Sequence, residues 1–371
     1  MTTESESALA RTVLIHGPIS RAALAVRLGM SPASLTRLTK PFLDRGVFVE
    51  LGEVADGVGR PSRPLDVSDA LGTFLGVKLT GSDAFAVLTD VRARVLGETV
   101  IPLDDHRPAT VVQALVSALA AVTDGAGRTP TGIGISLGGF TDGSEVAWAS
   151  FLEWSGVPLG RLVTEATGVP TRVENDLIAL AEAERWFGVG RGLDGFSVIT
   201  IGAGVGYGLV AGGEVVRTPD AGVGLGGHIP LDPHGPLCQE GHRGCSQAML
   251  TSGSIVAQAR TALQRPVDYD DVLDLAASGD RAAVAIVHAS ARALGRLIAL
   301  ATNLTLYSDV VLGGEGMRLF AVAGQTVRDA VAAGRDPRAS EVRLHVDDSG
   351  FPAWARGAAA VAIQDAFDRL D

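Results

Sequence analysis

Between Ser31 and Lys40 the chain gathers Ser31, Ala33, Ser34, Thr36, Arg37 and Lys40. These small, hydroxylated and basic side chains suit the base edges and phosphates of a DNA major groove. Arg60 and Arg63 follow in GRPSRP, a stiff Gly-Pro frame from which arginines reach phosphates or a narrow minor groove. Far downstream stand the only two cysteines, Cys238 and Cys245, seven positions apart. Two cysteines make no disulfide framework, so a metal or a plain thiol is the preferred chemistry there. Glycine clusters in GISLGGF and TIGAGVGYG fit either close backbone approach to a phosphate or ordinary strand-end turns.

The first group needs a helix to present it. Leu24, Val26 and Leu28 are expected on one face of a short helix that Gly29 breaks, and Ser31 then caps a second helix with Pro32 at its first position. Leu35, Leu38 and Phe42 follow helical spacing and should face the core, leaving Ala33, Ser34, Thr36, Arg37 and Lys40 outward. VFVEL, a glycine-rich turn and GRPSRPLDV then read as a two-stranded wing. The pattern is a helix-turn-helix signature with a wing, pointing to DNA. A three-helix protein-interaction module with a basic, solvated face is the alternative.

Charge divides the chain in the same place. The whole carries 31 basic and 42 acidic residues, net −11, which argues against indiscriminate nucleic-acid affinity for the molecule as a unit. Residues 8–65 hold eight basic and four acidic residues, +4, so the remainder carries −15. A basic head on an acidic body fits. At 371 residues and 46% hydrophobic content, two or three domains of about 150 residues each are expected. No stretch approaches the roughly 18 uninterrupted apolar residues of a membrane span; the longest candidate, AVAIVHASARALGRLIALATNLTLY, is broken by His288, Arg292 and Arg296. MTTESESALARTV lacks the basic flank and apolar segment of a secretory signal. The expectation is a cytoplasmic protein with no membrane partner.

Behind the head, FLGVKL, AFAVLTD, GIGISLGG, TRVEN, FSVITIG, YGLVAGG and DVVLGGEG alternate with helical ATVVQALVSALAAV, PLGRLVTEATG and DLIALAEAERWFG. Such a rhythm predicts an α/β body with helices covering sheets. The order of motifs, from the head through GIGISLGG, VEND, TIGAGVGYG and GHIPLDPHGPLCQEGHRGC to the C-terminal GAAAVAIQDAF, resembles the ROK family of repressors, uncharacterised reading frames and sugar kinases. The resemblance spans nearly the whole chain. It implies a winged helix-turn-helix followed by two actin-like α/β lobes with a sugar cleft between them, assembled as a homodimer or homotetramer. The kinase members lack the head and the regulators carry it. Residues 1–70 would then be the DNA-binding domain, 71–177 with 354–371 the smaller lobe, and 178–353 the larger lobe with a zinc-type loop and an oligomerisation surface.

The resemblance also assigns roles. In VEND, Asp176 takes the position of the family's catalytic base and Asn175 that of a sugar ligand, although Asp176 would also serve as a helix N-cap. Family kinases open the first body strand with an acidic residue followed by Gly-Gly-Thr, whereas this chain reads FLGVKLTGSD with Lys78 in the acid's place. An ammonium offers no lone pair to magnesium, so neither ATP nor magnesium is expected, and no phosphoryl transfer. The second glycine loop keeps Gly202, Gly204, Gly206 and Gly208, with Ala203 where kinases place a hydroxylated residue.

His228, Cys238 and Cys245 match three ligands of the family's structural zinc site, and the middle cysteine is replaced by Glu240. Glu240 or His242 would complete a tetrahedron; a metal-free loop with buried thiols is the alternative. His234, in DPHGP, is expected to be a solvated turn residue. Glu153, Asn175, Asp176, His228 and Gln247 are the candidate effector contacts. Leu225 and Gln247 stand where family sugar binders present glutamates, which predicts a modified, smaller or less polar ligand than a common hexose. Trp154 would stack on a pyranose or sit in the core. The expectation is a regulator, in the repressor sense, binding palindromic double-stranded operator DNA and answering a carbohydrate-like effector. A sugar kinase with an accessory DNA-binding head, and an effector-independent DNA-binding protein with a decayed cleft, are the alternatives.

Overall fold

The computed structural model describes residues 4–53, 62–123, 129–218, 220 and 222–369. Helices α1 (Glu4–His16), α2 (Arg21–Leu28) and α3 (Pro32–Asp44) precede an antiparallel hairpin of β1 (Phe48–Glu50) and β2 (Leu65–Val67). Ser20 caps α2 by accepting from the Ala23 amide, and Gly29 ends it at φ 61°, in the left-handed region that a side chain disfavours. Ser31 then accepts from the Ser34 amide and Pro32 opens α3. Leu35 and Phe42 are buried, Leu38 is half-buried, and Phe42 stacks on Phe48 of β1 at 4.7 Å. One expectation fails: Val26 is 83% exposed, while Leu24 and Ala25 are buried. Two residues along a helix turn the side chain through roughly 200°, so Leu24 and Leu28 share a face from which Val26 points away.

The chain separates into two compact units, Met1–Arg191 with Trp354–Asp371, and Gly192–Ala353. Beyond the head, the first contains β3 (Phe74–Leu79), β4 (Asp83–Thr89), β5 (Val95–Pro102), α4 (Pro108–Thr123) and β6 (Gly132–Leu137). A small antiparallel sheet of β7 (Phe140–Thr141), β8 (Val146–Ala149) and β9 (Trp154–Val157) follows. Then come α5 (Leu159–Thr167), β10 (Thr171–Asn175) and α6 (Asp176–Phe187). The main sheet runs β10-β6-β3-β4-β5, with β3 parallel to β6 and antiparallel to β4.

The second unit contains β11 (Phe196–Ile201), β12 (Val205–Ala211), β13 (Glu214–Val215), α7 (Ser246–Leu250), α8 (Ser252–Leu263), α9 (Tyr269–Ala277), α10 (Arg281–Thr305), β14 (Asp309–Gly313), α11 (Arg318–Ala333) and β15 (Arg343–Val346). Its sheet, β13-β12-β11-β14-β15, repeats the order and the strand directions of the first. Among the described residues α10 alone is long and apolar enough to cross a membrane. Ala283, Val287, Leu294, Leu297 and Ile298 of α10 are buried in this unit's own core.

α12 (Phe351–Asp368), whose residues from Trp354 belong to the first unit, lies along the sheet with almost no separation. A Cβ on Gly76 would stand 2.0 Å from the Ala355 carbonyl oxygen, one on Gly134 1.8 Å from that of Ala358, and one on Gly357 3.0 Å from the α6 backbone at Ala179. Only residues without a side chain permit this approach. At the far end, one apolar core joins head and lobe. Leu9, Leu14, Leu24, Leu35, Phe48 and Leu65 pack with Phe74, Val91, Trp186, Ile363 and Phe367. Arg92 closes the seam, donating to the Val13 and Leu14 carbonyls and pairing with Asp66 of β2.

Candidate functional site

On the head, Ser31, Ala33, Thr36, Arg37 and Lys40 are exposed along α3 and Ser34 is half-exposed, a continuous polar and basic stripe opposite the buried Leu35 and Phe42. Arg63 lies beside β2 and pairs at 3.4 Å with Glu53, both side chains exposed. Arg60 lies outside the described residues.

In the first unit Lys78 and Asp176 meet. Lys78 is the fifth residue of a strand buried along its whole length and is itself 7% exposed. Its ammonium donates to Asp176 Oδ2 and stands 5.1 Å from the centre of the Trp354 ring. A buried lysine requires such a partner, because an unpaired charge there costs several kcal/mol or more. The cap of α6 is Asn175, not Asp176. Asn175 Oδ1 accepts from the Leu177 and Ile178 amides at 3.0 and 3.2 Å, and its Nδ2 donates to the Gly139 carbonyl at 2.9 Å. Asn175 is buried, and these three bonds fix its side chain at the start of α6, next to Asp176, with one Nδ2 hydrogen beyond the bond to Gly139.

Trp154 is likewise structural: its indole N–H donates to the His106 carbonyl at 2.5 Å and its ring is buried. Glu153 is exposed at a left-handed φ of 57°, a conformation uncommon for a residue with a side chain and frequent at ligand sites. Residue-by-residue reading passed over Phe151. It is 59% exposed, and a Cβ placed on Gly138 would lie 3.6 Å from both its ring and Asp176 Oδ2.

The second unit gathers His228, Cys238, His242 and Cys245, whose ligand atoms all lie within 4.8 Å of one another. The turn explains the set. Gly241, at φ 82°, lets the chain double back so that the Cys238 amide donates to the His242 carbonyl at 2.9 Å. His228 closes a short 3-10 helix, and Cys245 precedes α7. The Nδ1 atoms of His228 and His242 are 3.2 Å apart, Cys238 Sγ is 3.6 Å from His242 Nδ1, and both sulfurs are 3.9 Å from His228 Nδ1. A tetrahedron built with ordinary metal–sulfur and metal–nitrogen bonds has edges of about 3.3–3.8 Å. The donor separations of 3.2–3.9 Å lie close to these edges, and the set as a whole, reaching 4.8 Å, is somewhat wider than a closed tetrahedron. Burial, with Cys238 beside it, pushes the Cys245 thiol up, and a bound cation would draw that proton off. Glu240, offered by the sequence as an alternative ligand, is exposed at the corner of the turn and outside the group. His234 is exposed, its amide bonded to Asp232 in a turn. Gln247 is half-buried in α7, and Leu225 is 66% exposed.

A further feature has no counterpart in the sequence reading. Glu315 lays its carboxylate over the glycine turn between β11 and β12. Oε1 accepts from the Ala203 amide at 2.6 Å, and a Cβ on Gly202 would collide with the carboxyl group. An anion from the chain itself therefore holds an amide that such a turn can offer to a phosphate.

The ROK family profile matches residues 74–365. The DNA-binding transcriptional dual regulator NagC of Escherichia coli strain K12 is 28% identical over 327 residues, covering 84% of this chain and 80% of its own. A crystal structure of a ROK family transcriptional regulator, a homologue of the Escherichia coli Mlc protein, superposes with a TM-score of 0.81 at 26% identity, over 98% of this chain and 96% of that one. A ROK family glucokinase from Streptomyces griseus, solved with glucose and AMPPNP, gives a TM-score of 0.68 at 25% identity. It is spanned over 99% of its length while covering 78% of this chain.

Proposed function

The chain belongs to the ROK family, and from that premise we propose that it is a DNA-binding transcriptional regulator of carbohydrate-related genes, in the repressor sense, whose body senses an effector and does not phosphorylate it. The observation that carries this reading is the exposed stripe of Ala33, Thr36, Arg37 and Lys40 on a capped helix of a basic head, in a chain whose net charge is −11. On an acidic protein, that stripe and the wing are where an operator's phosphates and base edges would be met. Relatives named as repressors support it.

The body's chemistry argues against kinase action. A base must accept the substrate's proton and a carboxylate must hold the metal, but Asp176 is bonded to an ammonium and Lys78 has no lone pair to offer. Glu315 places negative charge on the glycine turn at Ala203, where a nucleotide phosphate would be repelled. On the first unit the candidate contacts to a carbohydrate-like effector are Glu153, Asn175 and Asp176, with the exposed Phe151 ring near Asp176; on the second unit they are His228 and Gln247. His228, Cys238, His242 and Cys245 would hold one zinc, whose chemistry here is that of a cross-link fixing the loop. A homodimer or homotetramer acting in the cytoplasm would place paired heads on a palindromic operator.

Selection of genomic fragments by the purified chain, followed by titration of the recovered sequence, tests the reading. Arg37→Ala is expected to weaken binding by about 1–3 kcal/mol and to relax preference at one base pair. Recovery of no enriched sequence, or unchanged affinity on Arg37→Ala, overturns it.

A further inference from the structure

We propose that the Lys78–Asp176 ion pair sets the position of the DNA-binding head, through three elements that each place one residue at the pair and another in the core joining head to lobe. β3 carries Lys78 at one end and Phe74 at the other. α6 begins at Asp176 and ends at Trp186 and Phe187. α12 has Trp354 beside the ammonium and, three turns on, Ile363 and Phe367 in the head core. Lys78 and Asp176 are 98 residues apart in sequence and join two of these elements directly.

Between their ends the three have little room to move independently. Phe74, Gly76 and Lys78 alternate onto one face of β3, and α12 follows that face: Trp354 lies at Lys78, Ala355 and Ala359 at Gly76, and Ala362 in the core around Phe74. β6 repeats the arrangement, with the Ser136 hydroxyl donating to the Trp354 carbonyl at 3.4 Å, Gly134 under Ala358 and Gly132 near Ala362. On its other side α12 packs Gly357 on the α6 backbone, and Gln364 donates to Glu182 at 2.9 Å. Arg356 donates to the Phe187 carbonyl, at the end of α6, and to the Ala93 carbonyl, beside Arg92. The far end of α12 is tied to the head by Arg11 and Asp368 at 2.8 Å.

A bistable contact at one end of such closely packed elements is what can be read at the other. α6 spans roughly 18 Å at 1.5 Å per residue, so a shift of its first turn is delivered to Trp186 without an intervening loop. A hydroxyl-rich effector that bonds to Asp176 competes with the Lys78 ammonium for the same carboxylate. Releasing that ammonium removes the direct tie between β3 and α6 at this end. Lys78 and Asp176 thus act as positioning residues for the head, an assignment that rests on the sensor reading of the body.

Hydrogen exchange on the full chain, without DNA, tests this. Lys78→Met is expected to raise exchange at the last turn of α6 and along α2 and α3 by roughly tenfold or more, leaving β11 of the second unit unchanged. Asp176→Asn, nearly identical in shape, should give the same pattern and serves if Lys78→Met does not fold. A change confined to residues 76–80 and 175–180 overturns the proposal, as does equal loosening of both units. The regulator reading stands or falls separately, on recovery of an operator.

Discussion

The Lys78–Asp176 centre of the first unit and the His/Cys cluster of the second bring their polar groups together in opposite ways. At the cluster, Glu240 stands outside the group, and His242 on the same turn supplies the donor beside His228 and Cys238. Four ligand atoms converge. In the other centre the Lys78 ammonium turns inward to bond Asp176. A tight turn gathers its donors from a few neighbouring residues. A charge in a buried strand takes its partner from far along the chain, and so alters what the surrounding groups can do.

Three measurements sharpen or break that contrast. The largest effect is expected from Cys245→Ser, which should release about one zinc per chain and lower thermal stability by several kcal/mol. Carefully purified wild-type protein free of metal by elemental analysis would remove the cluster's side of the comparison. Next in size, Lys78→Met and Asp176→Asn should each cost about 3 kcal/mol in denaturant unfolding, since each leaves a buried charge alone. The double variant should cost much less than their sum. Strict additivity would show that the two groups are not coupled. The smallest is Glu240→Ala, which should retain zinc and stay within about 0.5 kcal/mol of wild type, whereas His242→Ala should lose the metal. The reverse result would make Glu240 the ligand.

The head was legible because its signals are local. Ser31, Pro32 and Gly29 act within a few residues of themselves, and Leu35, Leu38 and Phe42 repeat at the helical period. Val26 was misplaced by treating a two-residue spacing as one helix face. In the body, alternating strand and helix segments were readable, but not the pairing of Lys78 with a partner 98 residues away. In the sequence Trp154 is open between sugar stacking and the core, and Asn175 is a sugar ligand by resemblance alone. Only the Gly139 and His106 carbonyls show where their hydrogen bonds go. Glu315 gave no sign at all, since its meaning depends on a turn more than a hundred residues earlier.

The glycines under α12 restrict this protein's history as well as its geometry. At Gly76, Gly134 and Gly357 any side chain meets backbone, and backbone cannot step aside as a flexible side chain can. Inherited changes there would spoil folding and head placement together, so a lineage drifting toward a new effector or operator is barred from adjusting its response by way of that seam. Diversity should collect at the two ends instead, around the ion pair and on the open face of α3, where one property can change while the other is kept.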